Sequence, residues 1–402
     1  MIVPAPPGQP TLAPTITTKT TTRIYGENPY EVAVSVTQHI WPAVLPGSAQ
    51  SVPDRPRALT LLTPDDALTA ITATPIVHFP NDAPPLYVMR NGIPQVTLEE
   101  IKRLGPVGID RFNGVKAFLV GPAANPAVKS QLTAIGIKWF EITAPNIPAL
   151  ANKIDQIYGS ITNPDTGVAQ MANGAMTVMI GALDAYPFVI PATHWVTHMP
   201  TALLWVNKNS VPQPTIDALG RRLGDAMIYL FGGPNQISPA VARQLDKYGN
   251  VQRVTNDDVV AYNTPPPDDP VQTAIAFNKM WDSAGMVGWK ITGPGHGFTL
   301  VRLDDWQGAV ASSPLSHLGF HAPIVFTTSP TQLPAILDAY YMSVAPTFLW
   351  TPADGPYNMT YAIGSWDQIS WPLQAHVDNI SEMANRRDVA VNTGGRYSDS
   401  QP

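Results

Sequence analysis

The sequence predicts an α/β protein made of three tandem units, each a mainly parallel sheet covered by helices. Three recurrences point to it. An apolar strand that runs into a glycine and then a capped helix occurs as "FLVGPAANPAVKSQL" at 118–132, "YLFGGPNQISPAVARQL" at 229–245 and "YAIGSWDQISWPLQAHV" at 361–377. Upstream of each corner lies a strand, an aspartate and a helix: "LTLLTPDDALTAITATPIVH", "TVMIGALDAYPFVIPATHWVTH" and "FTLVRLDDWQGAVASSPLSHLGFH". Three helices with an aromatic ending also recur: "PYEVAVSVTQHIW", "NIPALANKIDQIY" and "DPVQTAIAFNKMW". Strands alternating with helices across short turns favour parallel pairing, because a parallel connection must cross the sheet.

Taken in order, residues 1–22 are rich in Pro and Thr and are expected to form an extended leader. Within them "TITTKTTTR" at 15–23 has a Thr-x-Thr pattern that a flat strand could display, but the leader reading covers it. Residues 23–142, 143–254 and 255–385 are the three expected units, and 386–402 is a polar, aperiodic tail. Second strands follow the Asp-led helices at "PPLYVMRNGIP", "TALLWVNKNSVP" and "APIVFTTSPTQLP". The loop "TGPGHG" at 292–297 reads as the hinge into the third unit.

The glycine corners look at first like phosphate-binding turns. Their copies disagree where such a turn must not: Gly-Pro-Ala, Gly-Gly-Pro and Gly-Ser-Trp. None carries the Walker lysine or a full GxGxxG followed by an acid. A glycine that lets the chain leave the sheet, with Asn or Ser as helix cap at the following helix start, explains the corners.

Composition narrows the function. Of 402 residues 44% are hydrophobic, and 13% are charged against about 25% in an ordinary soluble domain. The net charge of -6 gives no basic footprint for nucleic acid. With no cysteine, disulfides, thiolate metal sites and thiol nucleophiles are excluded. No apolar run is long enough for a transmembrane helix, and "MIVPAPPGQP" has neither the basic nor the apolar region of a signal peptide.

"RIYGENPYEVAVSVTQ" at 23–38, "DALTAITATPI", "PTALLWVNKNSVPQPTIDAL" and "YLFGGPNQISPAVARQL" together resemble the cell-wall-binding repeat type 2 family. The resemblance spans about residues 23 to 384 and is clearest in the second unit. It implies three repeats packed with pseudo-threefold symmetry, in a module that anchors surface-layer or exported proteins to the cell wall without a covalent bond. It also implies an extracellular, cell-surface location and a wall polymer or polysaccharide as partner, contacted near the second strand of each unit. On that basis the candidate ligand-binding residues are Arg23, Tyr87, Trp205 and Phe326, with Arg221 and Arg222 as a local basic patch. The same apolar strand positions also suit a buried core.

Two histidine pairs occupy the same place in the second and third units: His194 with His198, and His317 with His321. In the first unit the aligned residues are His78 and Asp82. Four-residue spacing places two imidazoles on one helix face, where they could share a zinc or copper ion, and pairs from three units could converge. Against this, histidine near a helix C-terminus is favoured by the dipole, and a pair supplies half a tetrahedral shell. Asp66, Asp184 and Asp305 follow the first strand of each unit, where helix capping explains three copies better than catalysis does. No nucleophile elbow, HExxH or calcium loop occurs. The sequence therefore predicts a non-catalytic cell-envelope binding protein without a required cofactor. A self-assembling surface-layer or filament protein is the second reading, and a metal-binding surface protein the third.

Overall fold

The computed structural model describes residues 15–44, 54–159, 176–254, 268–317, 319–346 and 356–382. The chain opens with strands β1 (Thr15–Thr17) and β2 (Thr21–Ile24), then helix α1 (Pro29–Ile40). The first unit continues through β3 (Leu59–Leu62), α2 (Ala67–Ala73), β4 (Pro85–Tyr87), α3 (Gln95–Leu104), β5 (Ala117–Val120), α4 (Pro126–Ala134) and β6 (Trp139–Ile142). The second runs through α5 (Ile147–Gly159), β7 (Thr177–Ala182), α6 (Ile190–His198), β8 (Ala202–Val206), α7 (Gln213–Gly220), β9 (Ala226–Leu230), α8 (Pro239–Leu245) and β10 (Gly249–Arg253). The third contains α9 (Pro270–Lys279), β11 (Gly297–Arg302), α10 (Trp306–Ala311), β12 (Ile324–Thr327), α11 (Ala335–Val344), β13 (Met359–Ile363) and α12 (Trp371–Glu382).

The fold is α/β with three mostly parallel sheets, as the corners imply. Strand order is β4-β3-β5-β6 in the first sheet and β8-β7-β9-β10 in the second. The third runs β12-β11-β13-β2-β1, so its fourth parallel strand is β2, from the start of the chain. Thr21, Thr22, Arg23 and Ile24 pair in parallel with Thr360, Tyr361, Ala362 and Ile363. The leader reading of residues 1–22 is therefore corrected: Thr21–Ile24 is a sheet strand held by a ladder that residues far along the sequence supply, and Thr15–Thr17 pairs antiparallel with it. Residues 1–14 and the tail 386–402 lie outside the described residues.

Local chemistry sets the boundaries. Asn28 and Asp269 accept hydrogen bonds from the first helical N–H groups of α1 and α9, each with a proline at the first helical position. At the corners Gly121, Gly232 and Gly364 have φ of 56°, 114° and 100°, in the region open mainly to glycine. Asn125 and Ser238 then cap α4 and α8. The corners are architectural, as their sequences indicate. Asp66 and Asp305 cap α2 and α10 through the N–H groups of Thr69 and Gly308. Asp184 does not cap α6, because a 3-10 turn at Tyr186–Phe188 intervenes.

Strands β3, β7 and β12 are buried throughout, as expected of parallel sheets covered on both faces. The buried side chains of all three units form one continuous core. At its centre α10 packs against both α6 and α2, while α6 packs against the turn Thr74–Val77 that continues α2.

Candidate functional site

The second-strand residues read as ligand contacts lie in the seams between units. Trp205 on β8 is fully buried and donates from its indole N–H to Thr72 Oγ1 on α2, at 2.8 Å. Tyr87 on β4 is equally buried, and its hydroxyl donates to the Gln307 carbonyl on α10 at 2.8 Å. Phe326 on β12 has no exposed surface, and its strand packs against α6. Each unit thus plugs its second strand into a helix of another unit. Buried side chains meet no polymer, so these three positions hold the units together.

The arginines are structural as well. Arg23 is buried within the third sheet, where its guanidinium donates to Gln374 Oε1 and to the carbonyls of Gly364, Ser365 and Ile369. Trp366 stacks over it, with the guanidinium carbon 4.0 Å from the ring centre. Burial lowers its pKa to about 9, and four acceptors keep it charged at neutral pH. Arg222 is buried and grips Asp155 with both terminal nitrogens, at 3.1 and 2.7 Å. Arg221 binds the same carboxylate, so the expected basic patch is an ion-paired cluster between α5 and the end of α7.

The histidines do converge. The rings of His198 and His321 stand 4.6 Å apart, and those of His78 and His317 5.2 Å apart. His317 Nε2 lies 3.1 Å from Asp82 Oδ1, and Arg57 faces the other oxygen of Asp82 at 3.6 Å. Burial draws His78 down to about 4, assisted by His317. Burial does the same for His198, with His321, His78 and His317 adding their repulsion. His194 is apart from this group: fully buried, its Nδ1 bonds Ser316 Oγ at 2.7 Å and the Ala322 carbonyl at 3.1 Å.

The expected helical spacing holds for His194 and His198 but not elsewhere. His317 follows the turn Ser313–Ser316 in extended backbone, and His321 has φ of 48°. Among the described residues, no group of three or more His, Cys, Asp or Glu side chains is arranged to hold a metal ion.

An open crevice lies at the carboxyl ends of the first sheet, with a volume of about 420 Å³. The chain leaves β3 for β4 on one side and returns to β5 on the other, which makes the gap between β3 and β5 the topological switch point. Open parallel sheets bind ligands at such a point. Asp66 and Thr69 form one wall, Gly121 and Pro122 the next, and Arg90 stands at the rim. The opposite wall is Thr143 to Ile147, with Leu150 of α5 beneath. Asn146 is occupied as the α5 cap, accepting from the Ala149 N–H at 3.0 Å. Arg90 is engaged by Asp65 at 2.5 Å and holds that carboxyl below its usual range. Sequence reasoning missed this crevice. The available signal was the short first corner, where the helix cap Asn125 follows Gly121 sooner than Ser238 follows Gly232 or Ser370 follows Gly364.

No helix among the described residues is long and apolar enough to cross a membrane. No protein-family model matches the chain, and no curated protein matches it. Among solved structures it is similar to Cwp6 from Clostridium difficile, with a TM-score of 0.67 and 17% identity over 91% of this chain. It is likewise similar to Cwp8 from Clostridium difficile, with a TM-score of 0.64 and 14% identity over 90% of this chain. The matches cover 49% and 52% of those proteins, so the chain spans about half their length. At these identities the likeness establishes a shared fold.

Proposed function

We propose that this is a non-catalytic cell-surface protein that attaches without a covalent bond to a polysaccharide of the cell envelope. Its three units are read as one repeat used three times around a common axis. The observation that carries the proposal is the fold shared with Cwp6 and Cwp8 along nine-tenths of the chain. The order of motifs resembling cell-wall-binding repeats supports it. So does the crevice, which is concave and accessible. Asp66 caps a helix and Arg90 is ion-paired, and no histidine or activated nucleophile lines the walls. Such a surface suits holding a ligand better than transforming one.

Sedimentation of the purified protein with and without isolated cell envelope tests the reading. Pelleting that requires envelope and resists mild salt supports it. Pelleting without envelope favours self-assembly, and a protein that stays in the supernatant in both cases overturns the proposal.

A further inference from the structure

The corners of the second and third units carry a glutamine where the first carries Asn125. In the third, the Gln368 carboxamide accepts the Ser365 N–H at 3.0 Å and donates to Asp305 Oδ2 at 3.0 Å. In the second, Gln236 accepts the Gly233 N–H at 3.0 Å and donates to Asp268 at 3.0 Å, just ahead of α9. Each glutamine folds back over its corner glycine and links the corner to an aspartate through its amide. The first corner turns into its helix earlier. Asn125, the residue at that point, is used to cap Val128 and to bond the Pro122 and Met89 carbonyls. The amide of this corner does not bond Asp66, which takes the Thr69 N–H, and the crevice lies beside it.

Asp66 holds the position in the first unit that Asp305 holds in the third. Both use Oδ1 to cap a helix, to Thr69 at 3.1 Å and to Gly308 at 2.8 Å. In Asp305 the second oxygen receives the glutamine amide. In Asp66 the corresponding oxygen belongs to a residue lining the open crevice.

We propose that the crevice binds one neutral sugar residue bearing an acetamido group, which takes the place of the missing glutamine amide. This rests on the reading of the chain as a polysaccharide-binding protein. The sugar's amide N–H or a hydroxyl donates to Asp66, its oxygens accept at the polar rim, and its C–H face lies on Pro122, Ile147 and Leu150. A volume of about 420 Å³ accommodates such a residue with part of a neighbour. An anionic ligand fits less well, because Asp66 repels it and Arg90 is already paired with Asp65.

The test is saturation-transfer NMR on the full chain with N-acetylglucosamine, N-acetylmannosamine and N-acetylgalactosamine, and with glycerol phosphate as the anionic comparison. Saturable binding of at least one N-acetylhexosamine is expected. Asp66→Asn keeps an oxygen to cap Thr69 but presents an amide donor to the crevice, so binding weakens by about tenfold or more. Thr143→Trp fills the crevice from its exposed rim and abolishes binding. The inference is overturned if none of the three sugars binds saturably, if both variants bind like the wild type, or if glycerol phosphate binds in preference. Envelope sedimentation of the same variants separates the two readings. Wild type and variants that pellet equally, without sugar binding, overturn the crevice and leave surface attachment standing. Sugar binding that the variants lose, without pelleting, supports the crevice and overturns surface attachment.

Discussion

The imidazoles of His198 and His321 stand 4.6 Å apart, ring centre to ring centre, with His198 also stacked 5.0 Å from Trp289. His78, His317, Asp82 and Arg57 complete the group, so side chains from all three units face one another at this junction. Burial makes charging His78 or His198 in this arrangement costly.

Acid should therefore loosen the protein. His78, His194 and His198 have folded pKa values drawn down to about 4, chiefly by burial, from an ordinary 6.5. The unfolded chain takes up these protons first, so stability is fully present above pH 6.5 and falls as pH drops toward 4. Melting temperature measured across that window should decline for the wild type and decline less steeply for His198→Phe, which keeps the ring contact with Trp289. Parallel curves for the two proteins would count against this account.

Arg23 ties the first described residues to the last helix. Arg23→Met leaves four oxygens inside the third sheet without their donor and should cost roughly 3 kcal/mol or more. Chemical denaturation measures it, and a loss below about 1 kcal/mol would show that β2 is not held by this side chain.

Asp155 neutralises two adjacent arginines, one of them buried. Asp155→Ala removes the carboxylate that Arg221 and Arg222 share and should destabilise by about 3–5 kcal/mol. The double change Asp155→Leu with Arg222→Met should recover much of that loss in the same urea titration, because it removes the charge along with its partner. Failure to recover would place the cost in packing instead.

Trp205 is the seam between the first and second units. Trp205→Ala removes a fully buried ring and should cost about 3–5 kcal/mol, while Thr72→Val, which removes only its acceptor, should cost about 1 kcal/mol. Equal effects would mean that the hydrogen bond, not the ring, fixes the seam.

Much of the architecture was legible because the signals are local. Gly121, Gly232 and Gly364 need positive φ, Asn28 and Asp269 need only the next turn, and apolar runs such as Leu59–Leu62 declare strands buried on both faces. Local patterns say nothing of what an apolar or charged side chain meets across the fold. Tyr87, Trp205 and Phe326 carry the same apolar signal whether they face a polymer or a neighbouring unit, and packing sends them to the neighbour. Arg23, in a stretch rich in threonine, has the composition of a linker and the position of a core residue.

By itself the sequence determined the α/β class and the threefold recurrence of strand, corner and helix, because hydrophobic period, glycine and capping residues act within a few positions. Tertiary structure alone decided that β2 completes the third sheet, that the histidines meet, and that the first sheet keeps an open crevice beside Asp66. Those outcomes depend on hydrogen bonds and contacts between residues far apart in the chain, which only the packed sheets bring within reach.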